Sequence, residues 1–303
     1  MASTRFRAMG TVVAVVTAAV LAASTAPVVA AEGPPERAAA VAAASDGRTP
    51  GDRVRWSGSM ESLVPARILD TRTGNGAARA KVGRGRVVEL QVAGRGGVPT
   101  IGAGAVALNV TATRSTSSGY LTVWPTGAAR PHASSVNLVA GGTVANTVVA
   151  KLGVDGKVSI YNSGDATDVV VDVTGWFPEG GSVEPLVPTR LLDTRSSGAR
   201  VPVGPGGTRE LRVTGVGGVP ATGVAAVVLN VTVTEPTAAE GYLTVWPTGA
   251  PRPVTSNLNF VRRQTVPNAV VAKVGANGRI SIFNSSGSSH VVVDVVGWFP
   301  DPG

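Results

Sequence analysis

The chain is expected to be all-β, built as two tandem homologous β-sandwich modules behind a leader and a linker. Three observations predict this. GYLTVWPTG stands at 119–127 and again, unchanged, at 241–249; VVVDVTGWFP at 169–178 is answered by VVVDVVGWFP at 291–300. Glycine (39) and proline (21) are abundant while charged residues make up only 15%, a balance that suits many short strands joined by turns. No stretch inside the repeats keeps a helical period, whereas Val, Ile, Thr and aromatic runs recur between Gly, Asn and Asp clusters.

In chain order, residues 1–31 read as a signal peptide. Arg5 and Arg7 precede an apolar run from Met9 to Ala23, and Val29-Ala30-Ala31 fits the small-x-small cleavage pattern. The run is short for a membrane span of about 20 residues, so an uncleaved anchor is the weaker reading. Residues 32–61 are rich in Ala, Gly, Pro and Arg and read as a flexible linker. Module 1 is placed at 62–178, a hinge at 179–183, and module 2 at 184–303. The repeat offset is 123 at RILDTR/RLLDTR, 121 at LNVT and 122 from GYLTVWPTG onward. Each change falls in a Gly- or Ser-rich turn, where insertions are tolerated.

Within a module, GAVALNVTAT (104–113), GYLTVW (119–124), TVANTVVAKL (143–152), KVSIYN (157–162) and TDVVVDV (167–173) read as strands, about eight per module in all. VDGK at 154–157 and ANGR at 276–279 are hairpin signals through Asp-Gly and Asn-Gly. A β-sandwich of jelly-roll-like form is expected, with a closed barrel as the alternative. Val-rich strands imply cover on both faces, which packing of one module on the other would supply.

These motifs resemble a repeat of secreted proteins from Streptomyces and related actinobacteria. The residues that carry the resemblance are P-x-R-(I/L)-L-D-T-R, GVP, LNVT, GYLTVWP, VANTVVAKLG/VPNAVVAKVG and VVVDV-x-GWF, and they span both modules. The resemblance implies export and a modular β architecture. It implies no activity.

Function is read mostly by exclusion. The chain has no cysteine, so neither disulfides nor thiolate metal sites are open to it. Its two histidines, His132 and His290, align with Val254 and Asp168, so no His-based triad or metal site is shared by the copies. No cofactor or metal is expected. The net charge of +8 is scattered, with local pairs only at Arg84/Arg86 and Arg262/Arg263, which argues against a nucleic-acid partner. No membrane partner is expected after leader cleavage.

Two constellations remain. Arg67, Asp70 and Arg72 lie ahead of the first clear strand, and Asp172 sits among valines in the last; Arg190, Asp193, Arg195 and Asp294 repeat them. A carboxylate in such a strand needs a partner. An arginine of the head segment is expected to pair with it and latch the start of the module to its end. A polar ligand cradle is the alternative use. The second constellation is Tyr120 and Trp124, repeated as Tyr242 and Trp246. They share one strand face, opposite Leu121 and Val123, and offer a platform for stacking sugar rings. Packing in a second apolar layer is the plainer reading of the same rings. Asn109, Asn137 and Asn146, with their counterparts Asn230, Asn259 and Asn268, are expected to satisfy backbone groups.

The function expected is a secreted, non-catalytic binding protein of the cell surface or surroundings, with wall glycan or another extracellular polysaccharide as partner. A structural protein that binds other surface proteins is the alternative. A hydrolase is a weaker one, and would need Asp70, Glu89 and Asp172 to converge in a cleft.

Overall fold

The computed structural model describes residues 58–196 and 200–301. The leader and most of the linker lie outside the described residues. Among the described residues no helix is long and apolar enough to cross a membrane.

Module 1 contributes nine strands: β1 (Glu61–Asp70), β2 (Val82–Gly83), β3 (Val87–Gln91), β4 (Ala103–Thr113), β5 (Gly119–Pro125), β6 (Val136–Leu138), β7 (Val144–Lys151), β8 (Lys157–Asn162) and β9 (Ala166–Pro178). Module 2 contributes eight: β10 (Glu184–Asp193), β11 (Thr208–Arg212), β12 (Val224–Thr234), β13 (Glu240–Pro247), β14 (Leu258–Val261), β15 (Val266–Lys273), β16 (Arg279–Asn284) and β17 (His290–Pro300). The two-residue β2 is the addition that takes module 1 to nine.

The strand orders are β1-β9-β4-β7 and β3-β8-β5-β6 in module 1, and β10-β17-β12-β15 and β11-β16-β13-β14 in module 2. Counting strands within a module, and leaving out β2, the orders are first-eighth-third-sixth and second-seventh-fourth-fifth. That is the jelly roll, two Greek keys folded into a sandwich. First and last strands are neighbours in this topology, which is why the head motif meets the tail motif.

The period-2 alternation decides each face. Val106, Leu108, Val110 and Ala112 of β4 point inward with Val169, Val171 and Val173 of β9, and meet Leu121, Val123, Val158 and Ile160 of the opposite sheet. Module 2 repeats this core with Val227, Leu229, Val231 and Val233 against Leu243, Val245, Ile280 and Ile282. Each such side chain, fully buried, is worth about 1.5–3 kcal/mol against exposure.

Two sequence expectations need correction. The Asp-Gly and Asn-Gly turns do not close hairpins. They form short 3-10 turns, Val154–Gly156 and Ala276–Gly278, with Asp155 and Asn277 at φ 57° and 56°. The strands they join lie in different sheets of the sandwich, so the turn sends the chain from one layer to the other. And Arg67 to Asp70 do not precede the first strand; they are its last four residues.

The residues from 179 to 183 do more than join the modules. Val183 is buried in a third apolar cluster with Ala105, Ala107 and Phe177 of module 1 and Val228 and Val296 of module 2. Apart from Val183, these side chains come from the outer faces of the β1-β9-β4-β7 and β10-β17-β12-β15 sheets. The second cover that the Val-rich strands require is therefore the neighbouring module.

Candidate functional site

Every charged side chain that the head motif repeats is engaged in an ion pair. Arg67 stands opposite Asp172 in the β1–β9 register. Its Nε and Nη2 donate to the two carboxylate oxygens at 2.9 and 3.1 Å, a fork geometry. Arg72 makes the same fork to Asp70 at 2.8 and 2.7 Å, and Arg67 Nη1 reaches Asp70 at 3.5 Å. Thr71 locks the strand end: its N–H donates to the Val169 carbonyl and its hydroxyl accepts from the Val169 N–H. Module 2 repeats the network. Arg190 forks Asp294 at 2.6 and 3.1 Å and reaches Asp193 at 3.2 Å, while Arg195 forks Asp193 at 2.9 and 2.7 Å.

The electrostatics follow from these contacts. The Arg72 fork, with further help from the Arg72 backbone N–H, holds the buried Asp70 carboxyl down at about 2. Arg195 does the same to Asp193, also to about 2. Asp294 moves the other way, because burial raises it against the pull of Arg190. Both modules carry the same Arg–Asp chemistry, but of the two last-strand aspartates Asp294 is buried and Asp172 is not.

The aromatic face is not the open platform that the sequence suggested. Residues 126–135 fold back across it. Thr122 donates to the Ala133 carbonyl, Ser135 exchanges bonds with Leu121 and Val123, and Trp124 Nε1 donates to the Ala128 carbonyl at 3.0 Å. Trp124 is buried as a result, and Trp246 is buried the same way through Ala250. Neither indole offers a face to a sugar ring. Tyr120 stays half-buried at the margin, with its ring centroid 6.3 Å from that of Tyr161. Arg130 lies 3.8 Å over Tyr161, a cation–π contact, and Arg252 over Phe283 repeats it at 3.6 Å.

Glu89 lies exposed on β3, in the sheet opposite β1 and β9. It therefore lies apart from Asp70 and Asp172, which Arg67 bridges.

What the sequence did not reveal is a cleft between the modules. It has a volume of about 160 Å³. Tyr120, His132, Ser134 and Asn137 come from module 1; Arg190, Arg195, Thr232, Thr234 and Thr265 come from module 2. Beside it, meeting it at Ser134, runs a polar seam. Asn146 Nδ2 donates to Asn230 Oδ1 at 2.9 Å, Asn230 Nδ2 donates to the Ser134 carbonyl at 2.6 Å, and the Ser134 N–H donates to Asp294. Asn146 also donates to the Ser135 carbonyl within module 1, whereas both of these Asn230 bonds cross the junction. Among the described residues, two buried atoms around this cleft, Thr232 Oγ1 and Asn137 Nδ2, have no hydrogen-bond partner in the protein. Buried polar atoms are nearly always satisfied, so these two call for water or a ligand. No single-module signal foretells this cleft, because half its residues lie about a hundred positions from the other half.

The cleft is built once. Tyr242 and Trp246 answer Tyr120 and Trp124, but among the described residues no neighbouring module faces Tyr242, which is exposed. The expectation of two equivalent aromatic sites in one chain is corrected accordingly.

No family model and no curated protein matches the chain. Three solved structures are similar to it in part. The structure of the Sulfolobus turreted icosahedral virus covers 79% of this chain and 91% of its own, at 8% identity and TM-score 0.33. The tandem CBM22 domains of Paenibacillus barcinonensis Xyn10C cover 78% and 100%, at 8% and 0.24. The PBSX exported protein XepA covers 77% and 86%, at 12% and 0.25.

Proposed function

We propose that the chain is an exported, non-catalytic binding protein that holds an extracellular polysaccharide, wall glycan foremost, in the cleft between its two modules. One observation carries the reading: a junction cleft lined with hydroxyls, amides, a tyrosine ring and two arginines, in which Thr232 Oγ1 and Asn137 Nδ2 lack protein partners. Sugar hydroxyls both donate and accept, so one ring can satisfy an acceptor-capable threonine and a donating amide together. Tyr120 supplies an apolar edge for the ring's C–H face. Arg195 is tied to Asp193 through Nε and Nη2, which leaves Nη1 outside that fork as a preorganised donor, while Arg190 is held by carboxylates at all three nitrogens and contributes fixed positive charge.

The test is co-sedimentation with purified actinobacterial cell walls over a salt series. Pelleting that survives high salt, and that Thr232→Val weakens at unchanged melting temperature, is the result expected. Pelleting lost at modest salt would reduce the interaction to general charge attraction and overturn the reading.

A second reading, assembly with other protein chains, is favoured by one feature. Val254 and Val271 stand exposed on the β13–β15 side of module 2, where their module 1 counterparts, His132 and Val149, face a neighbouring module.

A further inference from the structure

The contact between the modules is heterologous. Module 1 presents an edge, made of β7 and the loop before β6. Module 2 receives it on the outer face of the β10-β17-β12-β15 sheet. Two homologous modules joined by different surfaces leave most of one copy of each surface unused: the donor edge of module 2 and, on module 1, the part of the receptor face beyond Ala105, Ala107 and Phe177, which the junction already covers.

The burial of equivalent residues records this. Asp294 on the used receptor face has a side-chain exposure of 1%, and its counterpart Asp172 has 22%. Val187 on the used face is 37% exposed, while Val64 in the same place on module 1 is 89% exposed. Asn230 is buried and its counterpart Asn109 is not. On the donor side the order is reversed. Asn146 is buried in the seam, whereas Asn268 is exposed, and Val271 is 62% exposed where Val149 packs on the junction cluster.

The chemistry of the seam is retained at both unused surfaces. Asn268 stands where Asn146 donates to Asn230, and Asn109 stands where Asn230 accepts. Ser256 stands where the Ser134 N–H meets Asp294, and Asp172, already forked by Arg67, stands where Asp294 accepts. The cleft residues follow: Tyr242 and Asn259 on the donor side, Arg67, Arg72, Thr111 and Thr113 on the receptor side.

We propose that a second copy of this chain docks head to tail, the module 2 edge around Asn268 and Val271 seating on the module 1 face around Val64, Asn109 and Asp172. Each such contact rebuilds the seam and a further junction cleft, so the assembly is a row of modules rather than a closed two-fold pair. The free part of the module 1 face is the smaller and more polar of the two: half-buried Thr174 stands where module 2 has Val296, and Ala107, the counterpart of Val228, is already buried in the junction within the chain. The contact between copies is therefore weaker than the one within a chain, and depends on concentration. The proposal stands apart from the polysaccharide reading, since it needs no ligand.

Sedimentation velocity of the purified exported chain, without polysaccharide and over a wide concentration range, tests it. The expected result is a mass that climbs with concentration past twice the monomer. Val271→Glu blocks the donor edge and Asn109→Arg blocks the receptor face; both positions lie outside the cores, and Val64→Glu is a second receptor variant. Each variant alone should stay monomeric. An equimolar mixture of a donor and a receptor variant should give a dimer and nothing larger, because each supplies the surface the other lacks. A wild-type protein that remains monomeric throughout, variants that associate like wild type, or a mixture that stays monomeric would each overturn the proposal.

Discussion

Arg190 and Asp294 face each other across neighbouring strands, and the carboxylate that Arg190 forks also accepts the Ser134 N–H of the other module. One ion pair thus ties the first strand of module 2 to its last and fastens module 1 on top. Arg67 and Asp172 make the same fork in module 1, where Asp172 keeps 22% of its side chain exposed.

The difference in burial predicts a difference in cost. Asp294→Ala leaves a guanidinium and a backbone N–H without their buried partner, at about 3 kcal/mol, which lowers the melting temperature by roughly 6–12 °C in a protein of this size. Asp172→Ala removes a more exposed pair, worth about 1 kcal/mol or less, or roughly 2–4 °C. Calorimetry on the two variants checks the order. Equal shifts would mean that the junction adds nothing to Asp294.

Acid stability should follow Asp70 and Asp193. Both are held at about 2, below the ordinary 3.8, so the folded state binds fewer protons than the unfolded state between those values. Their contribution is complete above about pH 4 and is lost as pH falls toward 2. Asp294 has the opposite sign: its raised value gives stability present below the ordinary value and lost as pH rises through the folded one. The urea midpoint of the wild type should therefore fall on acidification from about pH 4 to pH 2, and Asp70→Asn with Asp193→Asn should flatten that fall. An unchanged slope in the double variant would contradict the pairing.

Gly153 and Gly275 are fixed by close approach. A Cβ at either would collide with the backbone of Thr126 or Thr248, at the start of the loop that covers the aromatic face. Gly153→Ala and Gly275→Ala should each destabilise by about 2 kcal/mol or more, as overpacking does. Gly180, with open space around it but φ of +66°, should tolerate Ala at about 1 kcal/mol. Chemical denaturation of the three variants separates the two effects.

The two aromatics of GYLTVWP should divide between stability and binding. Trp124→Ala empties a buried site and should cost about 3–5 kcal/mol. Tyr120→Ala, at the cleft margin, should leave the melting temperature within a few degrees and weaken polysaccharide binding at least tenfold. Parallel loss of stability and binding in both variants would remove the distinction.

Much of this was legible in the sequence. The exact repeats and the period-2 valines gave the modules and their cores, and an Asp among valines demanded the arginine that the jelly roll brings across from β1 or β10. The aromatic strand misled because alternation tells which side chains share a face, not what covers it. Here residues 126–135 supply the cover, and their tie to that face is a set of backbone carbonyls that no residue pattern announces. Asp-Gly and Asn-Gly were read as hairpins because the dipeptide specifies a left-handed residue, while the partner of each flanking strand is chosen by the core. The junction did leave a trace: Thr174, half-buried, becomes Val296, which is buried in the junction cluster. Read from one module alone, that exchange carries no meaning.

The cleft reading is tested most directly by amide hydrogen exchange of residues 32–303 with and without a soluble wall-derived polysaccharide. The account predicts added protection at the β5 start around Tyr120, at Ser134 and at Thr232–Thr234, with the equivalent Tyr242 margin of module 2 unchanged in the monomer. Protection centred on the Tyr242 margin, or none at the junction while the polysaccharide is bound, would contradict it.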